Sequence, residues 1–248
     1  MHKRIDFLGL PIDVLTMGET VNIIERAIQQ QIMLHHVVVN AAKVVNSIND
    51  RALRESIVNC DIINADGQSI VWASRLLGKP LPERVAGIDL MMNLVEMAAD
   101  KGYKIFLLGA KDDVLRKVVS IYQTKYGDNV IAGFRNGYFK EHDEWEVANQ
   151  IANSKANMLF VAITSPKKEV FLNKYKDIIK TPFIMGVGGS FDVIAGKVNR
   201  APLWMQKSGL EWLFRVIQEP RRMWKRYLIT NSAFIYMVLK EKFSFKQN

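Results

Sequence analysis

Asp66 closes a short apolar run, Asp61-Ile62-Ile63-Asn64-Ala65-Asp66-Gly67, and is followed by the arginine-bearing segment Leu81-Pro82-Glu83-Arg84-Val85-Ala86-Gly87. A carboxylate at the mouth of a buried strand can take up a proton, and arginine forks can hold anionic oxygens. That pairing suggests group transfer from a phosphorylated donor. The position of Asp66 suits a helix cap equally well, since Asp is common just before such a segment. Asn40 carries the same two readings, and capping is the better one on position alone. Gly109-Ala110 opens the stretch after Leu107-Leu108, where backbone N–H groups at a helix start can cradle a phosphate. The run Gly186-Val187-Gly188-Gly189-Ser190-Phe191 has part of a dinucleotide fingerprint, but Phe191 replaces its third glycine and no clear acidic strand end follows. A nicotinamide oxidoreductase is therefore disfavoured. Asp192, just beyond, suits a sugar or base hydroxyl, or a cap.

Metal chemistry has little support in the sequence. His2, His35, His36 and His142 lack zinc spacing, and Asp112-Asp113 is adjacent where a metal-dependent sugar-nucleotide site would separate its aspartates. No P-loop or nucleophile elbow occurs. We expect neither metal nor cofactor, so arginine, lysine and helix amino termini must balance the charge of a departing nucleoside diphosphate.

The elements that must position these residues alternate. Apolar, β-rich runs lie at 36–39, 61–64, 104–108, 129–132, 158–163 and 183–187, and helical spacing lies between them at 41–48, 68–77, 88–101, 113–126, 144–153 and 168–179. Strand then helix, repeated, predicts an α/β fold with a largely parallel sheet flanked by helices. Residues 5–15, broken by Gly9 and Pro11, predict a β-hairpin or an edge strand. In an open parallel sheet, the polar residues after the strands converge on a crevice at the strand carboxyl ends.

A length of 248 residues with 49% hydrophobic content allows one large domain, or one domain with an appendage. The single cysteine, Cys60, reads as a buried, inert thiol, and a cytoplasmic location fits best. Pro11, Asp6 and Asp13 interrupt the amino terminus before a signal-sized apolar region builds, and residues 227–239 are too short and polar to span a bilayer. Most of the net charge of +9 lies after residue 199, where Arg200, Lys207, Arg215, Arg221, Arg222, Lys225, Arg226, Lys240, Lys242 and Lys246 face only Glu211, Glu219 and Glu241. Trp204, Trp212 and Trp224 share that stretch with Leu203, Leu210, Phe214, Leu228 and Tyr236. Cations mixed with large apolar side chains suit the headgroup layer of an anionic membrane. Helices packed on the domain with solvated charges, a subunit interface, or a nucleic-acid patch are the competing readings. The division expected is 1–200 as catalytic core and 201–248 as a basic, aromatic, helical membrane-docking appendage.

Several blocks taken together resemble the WecG/TagA/CpsF glycosyltransferase family. They are Asn40, the run around Asn64-Ala65-Asp66-Gly67, Leu81 to Asp89 with Arg84, Phe106 to Ala110, Asn136-Gly137-Tyr138-Phe139, Gly186 to Asp192, Gly196 to Pro202, and Gly209-Leu210-Glu211-Trp212-Leu213-Phe214-Arg215. They are collinear over nearly the whole chain. The resemblance implies a Rossmann-like α/β core and metal-independent, inverting transfer of an N-acetylhexosamine-type sugar from a UDP-sugar to a polyprenyl-diphosphate-linked acceptor. It implies a peripheral protein at the cytoplasmic face of the membrane, self-associating, with no nucleic-acid partner. Asp66 matches the family's general base. Asn40, Arg84, Gly109, Ala110, Tyr138, Lys168, Gly188 and Asp192 match substrate-pocket positions, and Arg215, Arg222 and Arg226 match the appendage that completes the site. The chain departs from the teichoic-acid branch at Val38, where that branch has threonine, and at Lys168, where it has glutamine. A cation replacing an amide bears on the choice of donor. A non-enzymatic membrane or nucleic-acid binding module is the rival reading.

Overall fold

Pattern and turn chemistry resolve, in a computed structural model that describes residues 2–164 and 167–244 but not the side chains of Arg222 and Arg226, into strands and helices in strict chain order. The first half runs β1 (Arg4–Phe7), β2 (Leu10–Asp13), α1 (Met17–Gln29), β3 (Leu34–Val39), α2 (Ala41–Asn46), α3 (Arg51–Val58), β4 (Ile62–Ala65), α4 (Gln68–Leu76), α5 (Gly87–Lys101) and β5 (Ile105–Gly109). The second runs α6 (Asp112–Tyr126), β6 (Ile131–Arg135), α7 (Glu144–Ser154), β7 (Met158–Ala162), α8 (Lys167–Ile179), β8 (Phe183–Gly186), α9 (Ser190–Ile194), α10 (Leu203–Lys207), α11 (Glu211–Gln218) and α12 (Pro220–Ser244). Six strands form one parallel sheet in the order β4-β3-β8-β7-β5-β6, as the alternation predicts, while β1 and β2 form the expected antiparallel hairpin. Its two-residue turn, Leu8-Gly9, has positive φ at both positions (51° and 78°), the geometry that matches strand twist.

The chain divides into two compact units. The first gathers residues up to Met17, Val38–Ala86 and the chain from Arg200 onward. Here α12 packs along α2 and buries Met223, Thr230, Phe234 and Val238. The Phe234 ring lies 6.3 Å from that of Phe7, and Lys79 Nζ pairs with Glu241 Oε1 at 3.1 Å. The remaining surface of α12 leaves Trp224, Leu228, Ile235, Tyr236, Leu239 and Phe243 exposed. Among the described residues no helix is long and apolar enough to cross a membrane.

The second unit comprises Gly18–Val37 and Gly87–Asn199. Strand β5 is buried along its whole length and β7 along most of it, as expected for central strands covered on both faces. Phe106, Leu108, Val161, Phe171 and Ile184 belong to one core cluster there. Strand β6 starts two residues later than its apolar pattern suggests, because residues 128–130 form a short 3₁₀ turn after Gly127. Gly133 lies inside that strand for want of space: a Cβ there would come within 2.8 Å of the Phe106 ring.

Candidate active site

In the first unit, β3 ends at Asn40 and β4 at Asp66. Asn40 caps α2, its Oδ1 accepting the Lys43 N–H at 3.0 Å, so capping is realised at this position. Asp66 is different. Its backbone N–H donates to the Val39 carbonyl at 2.7 Å, tying the end of β4 to the end of β3. The cap of α4 is Gly67, at φ 151°, which has no side chain to bond the first turn. The Asp66 carboxylate contacts Arg84, whose Nε lies 3.4 Å from Oδ1.

Arg84 is held from two sides. Its Nη2 donates to Glu211 Oε2 at 2.5 Å, and Glu211 Oε1 in turn lies 3.6 Å from Arg215 Nη2. The four side chains form a line of alternating charge, Asp66, Arg84, Glu211, Arg215. Arg84, Glu211 and Asp66 are largely buried, with side-chain exposures of 16%, 15% and 26%, while Arg215 is half exposed. Burial by itself would lower the Arg84 pKa, but the charges of Asp66 and Glu211 outweigh it and the net shift is upward. Arg84 therefore stays cationic beside a carboxylate that is partly open to solvent. Such a group can accept a proton from an alcohol. Arg222 and Arg226, the other two expected cations, lie outside the described side chains.

Asp13 supports this arrangement from beneath. Its carboxylate, with no side-chain exposure, accepts from Arg4 Nε at 2.5 Å and Nη2 at 3.1 Å, and from the Ile63 N–H at 2.7 Å. His2 Nε2 lies 3.1 Å away. Hairpin and β4 are thus joined three residues before Asp66. The pairing with Asp13 raises the Arg4 pKa.

The second unit holds the other expected residues at the ends of β5, β7 and β8. Gly109 sits at φ 125°, and a Cβ there would fall 2.5 Å from the Ala162 backbone, so only glycine lets β5 leave the sheet this close to β7. Ala110, at φ 55°, donates its N–H to the Ala162 carbonyl and accepts from the Gly137 N–H, both at 3.1 Å. Its N–H is spent within the protein, and Asp112 and Asp113 occupy the first turn of α6. What this turn offers a ligand is close approach to backbone. Tyr138, in the loop after β6, is 73% exposed. Lys168 reaches back over β8, where a Cβ on Gly186 would lie 2.7 Å from its Nζ, and it pairs with Glu169 at 3.0 Å. Gly188, at φ 53°, turns the chain into α9, whose first turn contains half-buried Asp192.

Two residues of the first unit escaped the sequence reading. Glu211 lay inside a quoted block but had no assigned role, and Asp13 read only as an interruption of apolar sequence. A buried acid is recognisable only once its partners are known. Among the described residues no three His, Cys, Asp or Glu side chains gather as a metal-ligand set.

The profile of the Glycosyl transferase WecG/TagA/CpsF family matches residues 5–248. The chain is 39% identical over 196 residues to the N-acetylglucosaminyldiphosphoundecaprenol N-acetyl-beta-D-mannosaminyltransferase of Bacillus subtilis (strain 168), covering 79% of this chain and 75% of that protein. It is 37% identical over 184 residues to the protein of the same name from Bacillus spizizenii, covering 74% and 70%.

Proposed function

Since the chain belongs to the WecG/TagA/CpsF glycosyltransferase family, we propose that it moves an N-acetylhexosamine-type sugar, N-acetylmannosamine or a close relative, from a UDP-sugar to a GlcNAc-type acceptor on undecaprenyl diphosphate. The observation that carries this reading is the Asp66 carboxylate at a strand end, partly open to solvent and beside a buried arginine. Asp66 removes the proton of the acceptor hydroxyl as that oxygen attacks the anomeric carbon. The bond from that carbon to the UDP oxygen breaks, its electron pair leaves with UDP, and the anomeric centre inverts. Arg215, together with Arg222 and Arg226, balances the charge of the diphosphates. In the second unit, Gly109, Ala110, Tyr138, Lys168, Gly188 and Asp192 serve the donor, and in the first Asn40 and Arg84 serve the acceptor and the base.

We assign the exposed aromatic and aliphatic face of α12, with its cations, to the anionic cytoplasmic face of the membrane that carries such an acceptor. The protein would be peripheral there, and self-association belongs to the same proposal. The test is incubation with a panel of UDP-sugars and a short-chain GlcNAc-diphospholipid, with product masses read directly. A mass gain of one N-acetylhexosamine is expected. No gain with any UDP-sugar in the presence of anionic vesicles overturns the reading.

A further inference from the structure

Neither proton removal nor charge balance in the reaction above uses Glu211, yet it is more buried than Asp66 and sits closer to Arg84. Its carboxylate takes the Nη2 corner of Arg84 at 2.5 Å, while the Nε corner stands 3.4 Å from Asp66. A guanidinium is a rigid planar fork, so the carboxylate that grips one corner decides where the others point. Without that grip, the fork would be drawn by the remaining carboxylate into a two-point ion pair.

The backbone delivers Glu211 to this place with little latitude. It opens α11 directly after Gly209, at φ 68°, where a Cβ would come within 2.9 Å of the Trp72 ring and 3.0 Å of the Gln68 Cβ. Gln68 and Trp72 belong to α4, the helix that starts immediately after Asp66-Gly67. The start of α11 is therefore pressed onto the helix that follows the base.

We propose that Glu211 is a positioning residue for Asp66: it holds the Arg84 fork back, so that the base carboxylate is not drawn into a two-point pair with Arg84. The proposal rests on Asp66 acting as the base. Among the described residues, the charged groups beside the pair include Arg84 from the 81–86 segment and Glu211 and Arg215 from α11. Lys43 of α2 donates to the Val38 carbonyl at 2.7 Å, and Glu83 accepts the Met17 N–H. Of these groups, Glu211 is the carboxylate on the Nη2 corner of Arg84.

Full-length Glu211→Gln keeps the size of the side chain and removes its charge. With the lipid-linked acceptor, kcat is expected to fall about tenfold or more. KM for the UDP-sugar should change less than about twofold, since the donor contacts are assigned elsewhere. The acid limb of kcat/KM should move to lower pH by roughly half a unit, because Arg84 then serves Asp66 alone and a negative neighbour is gone. Glu211→Asp should return the limb to its wild-type position. Gly209→Ala, which displaces Glu211 without removing its charge, should move the limb in the same direction as Glu211→Gln and stands in for it if that variant does not fold. An unmoved acid limb in a folded Glu211→Gln or Gly209→Ala protein overturns the positioning role. Asp66→Asn, run beside them, separates the two ideas: full turnover in that variant removes the base assignment itself, whereas loss of turnover with an unmoved Glu211→Gln limb removes only the role of Glu211.

Discussion

Replacing Asp13 with alanine tests whether the hairpin holds in place the strand that leads to Asp66. The side chain is fully buried and accepts three hydrogen bonds from protein donors, two from the Arg4 fork and one from the Ile63 N–H. Arg4 has 36% side-chain exposure and can turn to water, so its share is discounted to about 1 kcal/mol. Ile63 is wholly buried, and its stranded N–H costs about 1–3 kcal/mol. The expected loss is about 2–4 kcal/mol, which for a chain of this length lowers the melting temperature by about 5–10 °C. Asp13→Asn keeps an acceptor for Ile63 and should lose about half as much. Thermal melts followed by circular dichroism, at one scan rate and protein concentration, read the difference. If Asp13→Ala melts within about 2 °C of the wild type, the hairpin does not brace β4 and the account of how Asp66 is placed is wrong.

Asp66→Asn should lower turnover about 10²- to 10⁴-fold, read as product mass per unit time, while its urea midpoint stays near that of the wild type. Tyr122 is buried with no hydrogen-bond partner for its hydroxyl among the described residues, so Tyr122→Phe should stabilise the protein by about 1 kcal/mol at pH 8 in urea titrations. Burial raises its phenol pKa above the ordinary 10.0. The unfolded chain therefore ionises first. Wild-type stability holds below about pH 10 and falls as pH climbs beyond it, and the phenylalanine variant should lose about 1.4 kcal/mol less per pH unit there. Equal alkaline losses in the two proteins would contradict this. Leu228→Ser and Leu239→Ser, three helical turns apart on the exposed face of α12, should each weaken co-sedimentation with anionic vesicles about tenfold without changing thermal stability. Unchanged sedimentation of the double variant would remove α12 from membrane contact.

Six strands and six of the helices follow from apolar spacing, because a parallel sheet buried on both faces writes itself as short apolar runs between helical ones. Helices α1 and α3 escaped that reading, although Thr20, Ile24, Ala27 and Ile28 form a regular buried stripe in α1 and Asp50 caps α3. The site was half legible. Asp66 stood out by position, but its contact with Arg84 does not follow from local sequence. At Asn40 the capping alternative is realised, its Oδ1 accepting the Lys43 N–H of α2. Glu211 and Asp13 were illegible as site residues for one physical reason. Their partners Arg84 and Ile63 lie 127 and 50 positions away in the chain, and no local propensity records a contact at that range.

The first unit is assembled from three stretches of chain, and the last of them begins at Arg200. A ribosome delivers residues from the amino end at about 5–20 per second, so most of the second unit, Gly87–Asn199, emerges before the first can close. Until α11 has been made, Arg84 lacks its Glu211 partner, and until α12 follows, the surfaces of Phe7 and α2 that it covers stay wet. Nascent and prematurely terminated chains therefore lack both the Arg84–Glu211 pair and the helix assigned to the bilayer.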